Sequence, residues 1–210
     1  METAFPIGAF IFKFPAFPGF IKQLSQLLFL LVTFTYKRIS MNKPLPSEYN
    51  PYFETYIKLV EPGDFNELLK TTAKKVVDFF KSIPASKHDY AYAPGKWTIK
   101  EVVLHIADTE RVMQYRALTI ARGDLASNLP SMDENQFARE ANVTGRSLDD
   151  ILNEFSVTRE ATRLLFAHVS EKQSAYIGKA NGHPASPRAL GYIIVGHPLH
   201  HLNIVKERYL

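Results

Sequence analysis

The sequence predicts an all-α fold, a four-helix bundle with long crossover connections. Four segments of about 15–25 residues carry apolar side chains at three- and four-residue spacing, which places those side chains on one face of a helix. Each segment follows a residue that commonly caps a helix N-terminus. The connections differ in length, and the polar segment 123–146 has the length of a functional or crossover connection.

The first two predicted helices begin at capping boxes, in which glutamate follows the cap residue by three positions. Asp64 precedes the first helix, which should end before Pro84 because proline cannot continue it. Thr98 precedes the second helix, which should run to about Arg122 and stop at Gly123. The apolar faces comprise Phe65, Leu68, Leu69, Val76, Phe80 and Ile83 in the first helix and Ile99, Val102, Val103, Ile106, Met113 and Ala117 in the second.

The last two predicted helices begin at serine residues. Ser147 precedes the third helix. Ser186 precedes the fourth, where Pro187 takes the first helical position, at which proline is favoured. The fourth helix should continue to the C-terminus. The apolar faces comprise Leu148, Ile151, Leu152, Phe155, Leu165 and Val169 in the third helix and Tyr192, Ile193, Leu202 and Val205 in the fourth.

Composition and charge exclude several classes of protein. The 210 residues are 46% apolar and 22% charged, which is typical of one globular domain and not of a disordered, collagen-like or coiled-coil chain. Without cysteine, the chain has no disulfide, no thiolate nucleophile and no Cys-ligated metal centre of its own. Most of the net charge of +4 lies in residues 1–40, so residues 41–210 lack the basic excess typical of nucleic-acid binding. We expect no nucleic-acid partner.

Residues 1–40 differ in composition from the rest of the chain. They hold eight of the 15 phenylalanines, and their longest uninterrupted apolar run, residues 27–34, is far shorter than the roughly 20 residues that span a bilayer. We therefore expect no stable membrane insertion. One interpretation is an amphipathic segment that associates with a membrane surface. We favour the other, an extra N-terminal segment that is disordered or lies upstream of a true start at Met41, which makes residues 41–210 the functional domain.

Three histidines have the spacing of a metal site. His197 and His201 lie four residues apart on the fourth predicted helix, about 40° apart on one face, and can bind one metal ion. His105 lies among apolar residues of the second helix, where its ring needs a partner because burying an unpaired polar group is costly. The alternatives are a hydrogen-bonded core histidine and a surface pair that complements the helix dipole. Pro198 predicts a local distortion, which we expect to aim His197 inward.

These residues resemble the pattern of a known family. The segment GKWTIKEVVLHIADTER, followed later by GHPLHHLNIVKERYL, is similar to the DinB-like metal-binding family from about Tyr49 to the C-terminus. The family pattern is tryptophan at the start of the second helix, one histidine on that helix and His-x-x-x-His on the last, here Trp97, His105, His197 and His201. The resemblance implies a four-helix bundle that binds a divalent metal ion through the three histidines. Imidazole ligands suit zinc and nickel best, with iron as a further candidate.

The resemblance also implies a class of reaction. The family includes S-transferases that act with low-molecular-weight thiols, so the expected partners are a small-molecule thiol and an electrophile. Three neutral imidazoles leave a divalent ion its full charge and an open position, where a thiol or a water molecule ionises. The alternatives are a metal-dependent hydrolase and a non-catalytic metal- or ligand-binding protein of a stress response. We also expect a cytoplasmic location, and a homodimer is plausible.

Four further residues are candidates for the site. Asp108 lies three positions after His105 and can accept the distal N–H of that imidazole, or else pair with an arginine on the next turn. Tyr115 can donate a proton as a catalytic residue, or else pack half-buried. Arg116 and Arg159 can bind an anionic group of the substrate, or else form ion pairs with neighbouring helices.

Mass spectrometry of the native protein tests the prediction for residues 1–40. If translation starts at Met41, the N-terminal peptide begins at that methionine or at the residue after it. A peptide that spans Arg38–Met41 would contradict the prediction.

Overall fold

The computed structural model describes residues 41–210, and both interpretations of residues 1–40 lie outside that range. Within it the chain forms seven α-helices, four long and three short. No helix in this part of the chain is long and apolar enough to cross a membrane. The helices are α1 (Glu54–Ile57), α2 (Phe65–Lys81), α3 (Ile99–Ala121), α4 (Glu134–Glu140), α5 (Leu148–Phe166), α6 (Glu171–Ser174) and α7 (Pro187–Arg208), with 3-10 turns at Pro46–Glu48, Pro51–Phe53 and Ala85–Lys87.

The long helices α2, α3, α5 and α7 begin where the sequence predicts. The side chains of Asp64, Thr98, Ser147 and Ser186 each accept a hydrogen bond from the backbone N–H three residues on. Thr98 also forms a complete capping box with Glu101. Just beyond the end of α3, Gly123 has φ of 98°, a left-handed conformation that glycine adopts without strain. The predicted four-helix bundle is confirmed.

Crossover connections join helices that are not neighbours in the bundle. Both α2 and α3 pack against α5 and α7, so α2 and α3 occupy opposite corners although they are consecutive along the chain. The connection 82–98 therefore crosses the bundle, and so does 167–186 between α5 and α7. The long connection 122–147 joins α3 and α5, which are neighbours. It is long because it contains α4 and a short strand.

A small three-stranded sheet was not predicted. Strand β1 (Asn128–Leu129) pairs parallel to β2 (Gly178–Ala180), which pairs antiparallel to β3 (His183–Ala185). Asn181 and Gly182 join β2 to β3 with φ of 51° and 76°, as a two-residue hairpin turn requires. Strands of two or three residues are too short to show an alternating pattern, although Asn-Gly is itself a hairpin signal. The sheet is minor, and the all-α class holds.

A layer of buried polar side chains divides the core of the bundle into two apolar clusters. One cluster surrounds the C-terminal half of α3 and the N-terminal half of α7, and the other surrounds the opposite halves of the same helices. All four long helices contribute to the layer between them, which we call the polar layer. It comprises Thr72 of α2, His105, Thr109 and Glu110 of α3, Thr158, Arg159 and Thr162 of α5, and His197 and His201 of α7.

One guanidinium group in the polar layer contacts all four long helices. Arg159 of α5 forms a two-pronged ion pair with Glu110 of α3, with both N···O distances at 2.8 Å. It also donates to the carbonyl oxygens of Leu69 in α2 at 3.1 Å and of Ile194 in α7 at 3.2 Å. In a regular helix the N–H of residue 198 would bond to the Ile194 carbonyl, but Pro198 has no N–H. Pro198 therefore leaves an acceptor free for Arg159.

The substitution Glu110→Gln tests this ion pair, because it keeps the side-chain size and removes the charge that Arg159 needs. We expect the free energy of unfolding to fall by about 3–5 kcal/mol, since an uncompensated buried charge remains. Urea denaturation followed by circular dichroism measures it.

The matched control is Glu160→Gln, which removes an exposed carboxylate from the same bundle. Exposed ion pairs contribute only about 0–1 kcal/mol. Equal losses of stability in the two variants would show that the buried pair has no special role.

Candidate metal centre

The three predicted histidines come together in the polar layer. His105 of α3 and His197 and His201 of α7 are each at most 7% exposed. The Nε2 atom of His197 lies 3.1 Å from that of His105 and 3.0 Å from that of His201. One ring nitrogen from each residue falls within 4.8 Å of the others. We call these three residues the histidine cluster.

Hydrogen bonds alone cannot satisfy the histidine cluster. The Nε2 atom of a neutral imidazole carries either one hydrogen or one lone pair, so that of His197 can bond to only one of its two neighbours. Two nitrogens that each lie about 2.0–2.1 Å from one ion are about 2.8–3.4 Å apart for bond angles between octahedral and tetrahedral. The observed separations of 3.0 and 3.1 Å fall within that range. The cluster therefore suits a divalent metal ion.

Burial keeps the three imidazoles neutral. It lowers the pKa of His105 to about 4. Burial and the neighbouring rings hold the pKa of His197 and of His201 well below the ordinary value for histidine. At neutral pH each ring thus keeps a lone pair, as a metal ligand must.

The helix around His197 is shaped by two residues that helices usually avoid. Pro198 lies inside α7, which continues past it to Arg208, and His197 faces inward as expected. A Cβ atom on Gly196 would lie 2.2 Å from the carbonyl oxygen of Tyr56, so only glycine allows α1 to pack so closely against α7. As a result, the Tyr56 ring meets the His197 ring edge-on, with centroids 5.2 Å apart.

The segment that carries Tyr56 is held against α7 by a buried ion pair. Glu48 accepts hydrogen bonds from the Ser186 hydroxyl at 2.7 Å and from Nε of Arg188 at 2.6 Å. The Tyr192 hydroxyl donates to the carbonyl of Met41 at 3.1 Å. Tyr56 could not be selected from the sequence because the four residues of α1 are too few to show helical periodicity. The one available signal was a glycine inside a predicted helix, which marks a close approach.

Asp108 and Tyr115 do not support the cluster as expected. Asp108 accepts a hydrogen bond from Arg111 at 3.0 Å, so the pairing alternative is correct, while Nδ1 of His105 is buried without a hydrogen-bond partner among the described residues. Tyr115 is 55% exposed on the outer face of α3. Ten residues of helix place it about 80° around and 15 Å along from His105. The structure therefore does not bring Tyr115 together with the histidine cluster.

The two arginine candidates have different positions. Arg159 contacts Glu110 and two backbone carbonyls, which is the ion pair that the sequence offers as the alternative to binding substrate. Arg116 is also buried, but it lines a cavity that reaches the histidine cluster.

Two cavities adjoin the histidine cluster. The larger, of about 300 Å³, is lined by His105 and His197 and by residues of α1, α3, α7 and the small sheet. The smaller, of about 230 Å³, is lined by His201 and Trp97. Glu134, the first residue of α4, lines both and is the only carboxylate that does so within residues 41–210. Its position in a long polar connection gave the sequence analysis no reason to select it.

The single tryptophan of the chain allows metal binding to be measured directly. The Trp97 ring lies 4.6 Å from the His105 ring, centroid to centroid, so a paramagnetic ion in the cluster should quench its fluorescence. We expect Ni²⁺ or Co²⁺ to quench the metal-free protein at one equivalent, and Zn²⁺ to compete without quenching.

The substitution His201→Ala should weaken Ni²⁺ binding by more than the roughly 10–100-fold that loss of a residue supporting a ligand costs. The matched control is His200→Ala, because His200 is on the same helix but outside the cluster. Equal metal affinity in wild type and His201→Ala would rule out the three-histidine site.

Comparison with known proteins gives the superfamily and the fold of the chain. The sequence model of the DinB superfamily matches residues 68–205, which include all three histidines. Among solved structures, YfiT from Bacillus subtilis, described as a probable metal-dependent hydrolase with an unusual four-helix bundle topology, aligns with a TM-score of 0.58 at 17% identity, over 79% of this chain and 90% of its own. At that identity the likeness is one of fold. A comparison with curated proteins finds no match. Since the superfamily model covers more than half of the sequence, the chain belongs to the DinB superfamily.

Proposed function

We propose that the chain is a metal-dependent enzyme in which His105, His197 and His201 hold one divalent ion, zinc or nickel before iron. One observation carries the proposal: three neutral, buried imidazoles converge at 3.0–3.1 Å in an arrangement that hydrogen bonds cannot satisfy. Imidazole ligands favour these metals over magnesium or calcium. The reaction is attack by a small nucleophile on a small-molecule electrophile.

The surroundings of the cluster favour a catalytic site over a structural one. Structural zinc sites are closed by four protein ligands, whereas catalytic sites keep a position free. No fourth histidine or carboxylate joins the group in the part of the chain described. The cluster instead borders a cavity on each side, so exogenous molecules can reach it.

Residues of the chain accept the proton of the nucleophile and donate hydrogen bonds to the substrate. When bound, the ion supplies Lewis acidity, which favours ionisation of a nucleophile beside it. The Glu134 carboxylate, which borders both cavities, accepts the proton that the nucleophile loses. Burial and a hydrogen bond with Tyr52 raise the pKa of Tyr56, so its hydroxyl remains a donor at the wall of the larger cavity.

We propose a thiol as the nucleophile. Two cavities that meet at one cluster match a reaction with two substrates, and the chain has no cysteine, so the thiol must enter as a cosubstrate. The thiol gives its proton to Glu134, its sulfur forms a bond to carbon of the electrophile, and the leaving group departs with its electron pair.

Hydrolysis is the second candidate. The observation that favours it is the carboxylate of Glu134 on the walls of both cavities, since a single general base is sufficient to activate water. The description of YfiT as a probable metal-dependent hydrolase agrees with this candidate.

The test is turnover by protein loaded with Zn²⁺ or Ni²⁺. Glutathione, bacillithiol and mycothiol are each offered with 1-chloro-2,4-dinitrobenzene, in which the thiol sulfur displaces chloride and the product is followed by absorbance. We expect transfer with at least one thiol and no transfer after His105→Ala. Glu134→Gln should lower kcat by about 10²–10⁴-fold, the usual contribution of a general base.

The matched control is His168→Ala, which changes an exposed histidine distant in sequence from the cluster and should leave turnover unchanged. Hydrolysis of p-nitrophenyl esters without thiol transfer would select the second candidate. No turnover of either kind in fully metal-loaded protein would reject the enzyme and leave a metal-binding protein.

A further inference from the structure

Arg116 is a buried cation without a counter-charge. Its side chain is at most 5% exposed, yet no carboxylate among residues 41–210 lies within 4.0 Å of its guanidinium. Nη2 donates to the carbonyl of Pro130 at 2.5 Å and Nη1 approaches the sulfur of Met113 at 3.5 Å. Nε is buried and has no hydrogen-bond partner within residues 41–210. By contrast, Arg159, buried to the same degree, has both Glu110 oxygens and two carbonyls.

A guanidinium in this state is an incomplete site. Moving an ion out of water costs several kcal/mol in general, and neighbouring charges or hydrogen bonds must offset it. One carbonyl and a thioether offset only part of that cost for Arg116. The missing component is an oxyanion, which a planar guanidinium binds with two parallel hydrogen bonds.

The unpaired arginine and the histidine cluster share one face of α3 and one cavity. His105, Thr109, Met113 and Arg116 are spaced by four, four and three residues, so they lie within about 80° of one another around the helix. All four line the larger cavity. The Cα atoms of His105 and Arg116 are about 16 Å apart along the axis. The Arg116 guanidinium lies over Met113, one turn closer to His105.

We propose that Arg116 binds the carboxylate or phosphate group of an elongated small-molecule substrate, whose reacting end reaches the histidine cluster along the same cavity. The inference rests on the proposed function only for what happens at that reacting end. The wall between the two ends is largely apolar, with Met113, Leu190 and Ile193, and it offers the hydroxyl of Thr109. Glu134 is the one acidic residue on the cavity wall in the described range, so the arginine and a divalent ion leave the cavity net positive.

The first experiment compares two probes of equal length on Ni²⁺-loaded protein by calorimetry. Both carry a hydroxamate that chelates the metal: octanohydroxamate ends in a methyl group, and the monohydroxamate of suberic acid ends in a carboxylate. We expect the carboxylate probe to bind at least tenfold more tightly. An analogue that ends in a phosphonate shows which oxyanion is preferred.

Arg116→Gln should reduce the preference for the anionic probe to less than threefold and leave octanohydroxamate affinity unchanged. Arg122→Gln is the matched control, because it removes the same charge from an exposed arginine near the end of α3 and should keep the full preference. Arg116→Lys keeps the charge without the planar fork and should give an intermediate preference. Equal affinity of wild type for the two probes overturns the proposal and needs no variant.

A second experiment separates this inference from the metal site. Metal-free protein is titrated with octanoate and with 1-octanol, and wild type should prefer octanoate at least tenfold, whereas Arg116→Gln should not. If Ni²⁺-treated protein binds no hydroxamate but the octanoate preference persists, the metal proposal fails and the anion site stands. If metal-free wild type binds octanoate and 1-octanol with equal affinity, the anion site is overturned and the metal proposal is unaffected.

Discussion

Arg159 connects the four long helices and fixes their positions relative to one another in the polar layer. Its guanidinium reaches Glu110 of α3, the carbonyl of Leu69 in α2 and the carbonyl of Ile194 in α7. Because an uncompensated buried charge is costly, the helices can shift along or around one another only by losing one of these contacts. The same layer carries His105 five residues before Glu110 on α3 and His197 three residues after Ile194 on α7, so the ion pair that holds the helices together also positions the histidines.

Pro198 links the structural and the functional halves of this layer. By removing one helical N–H it frees the Ile194 carbonyl for Arg159, and it follows His197 directly. The adjacent Gly196 lets Tyr56 pack onto the His197 ring. Proline and glycine both weaken an isolated helix. In α7, Pro198 allows the contact with Arg159, and Gly196 allows the close packing of α1.

The buried polar groups in the polar layer and at Arg116 differ in how many of their donors and acceptors are hydrogen-bonded, and that difference distinguishes the groups that stabilise the fold from those available to a ligand. Arg159 and Glu110 satisfy each other, as a group with a structural role does. The histidine cluster and Arg116 keep unused lone pairs or hydrogen-bond donors, and both face the same cavity. Since buried polar groups in folded proteins are rarely left unpaired, unused capacity beside a cavity indicates a ligand.

Much of the fold and part of the site could be predicted from the sequence alone. The caps Asp64, Thr98, Ser147 and Ser186, and the apolar stripes behind them, are local signals that depend on spacing within one helix. The pair His197 and His201 is also local, because four residues bring two side chains to one face. His105 could be joined to that pair only through the resemblance to a family, since nothing in α3 indicates which helix lies opposite.

The sequence by itself determined the four long helices, their first residues and the pairing of His197 with His201. Each of these depends only on residues within one or two helical turns. The tertiary structure alone decided which charged residues pair. Arg116 and Arg159 look alike in sequence, but the packing of α3 against α5 gives Arg159 a carboxylate and leaves Arg116 on a cavity wall. It also placed Tyr56 against the His197 ring and Glu134 on the walls of both cavities, although both residues belong to short segments without periodicity. Contacts between residues far apart in the chain have no signal in local spacing, and these contacts make the site.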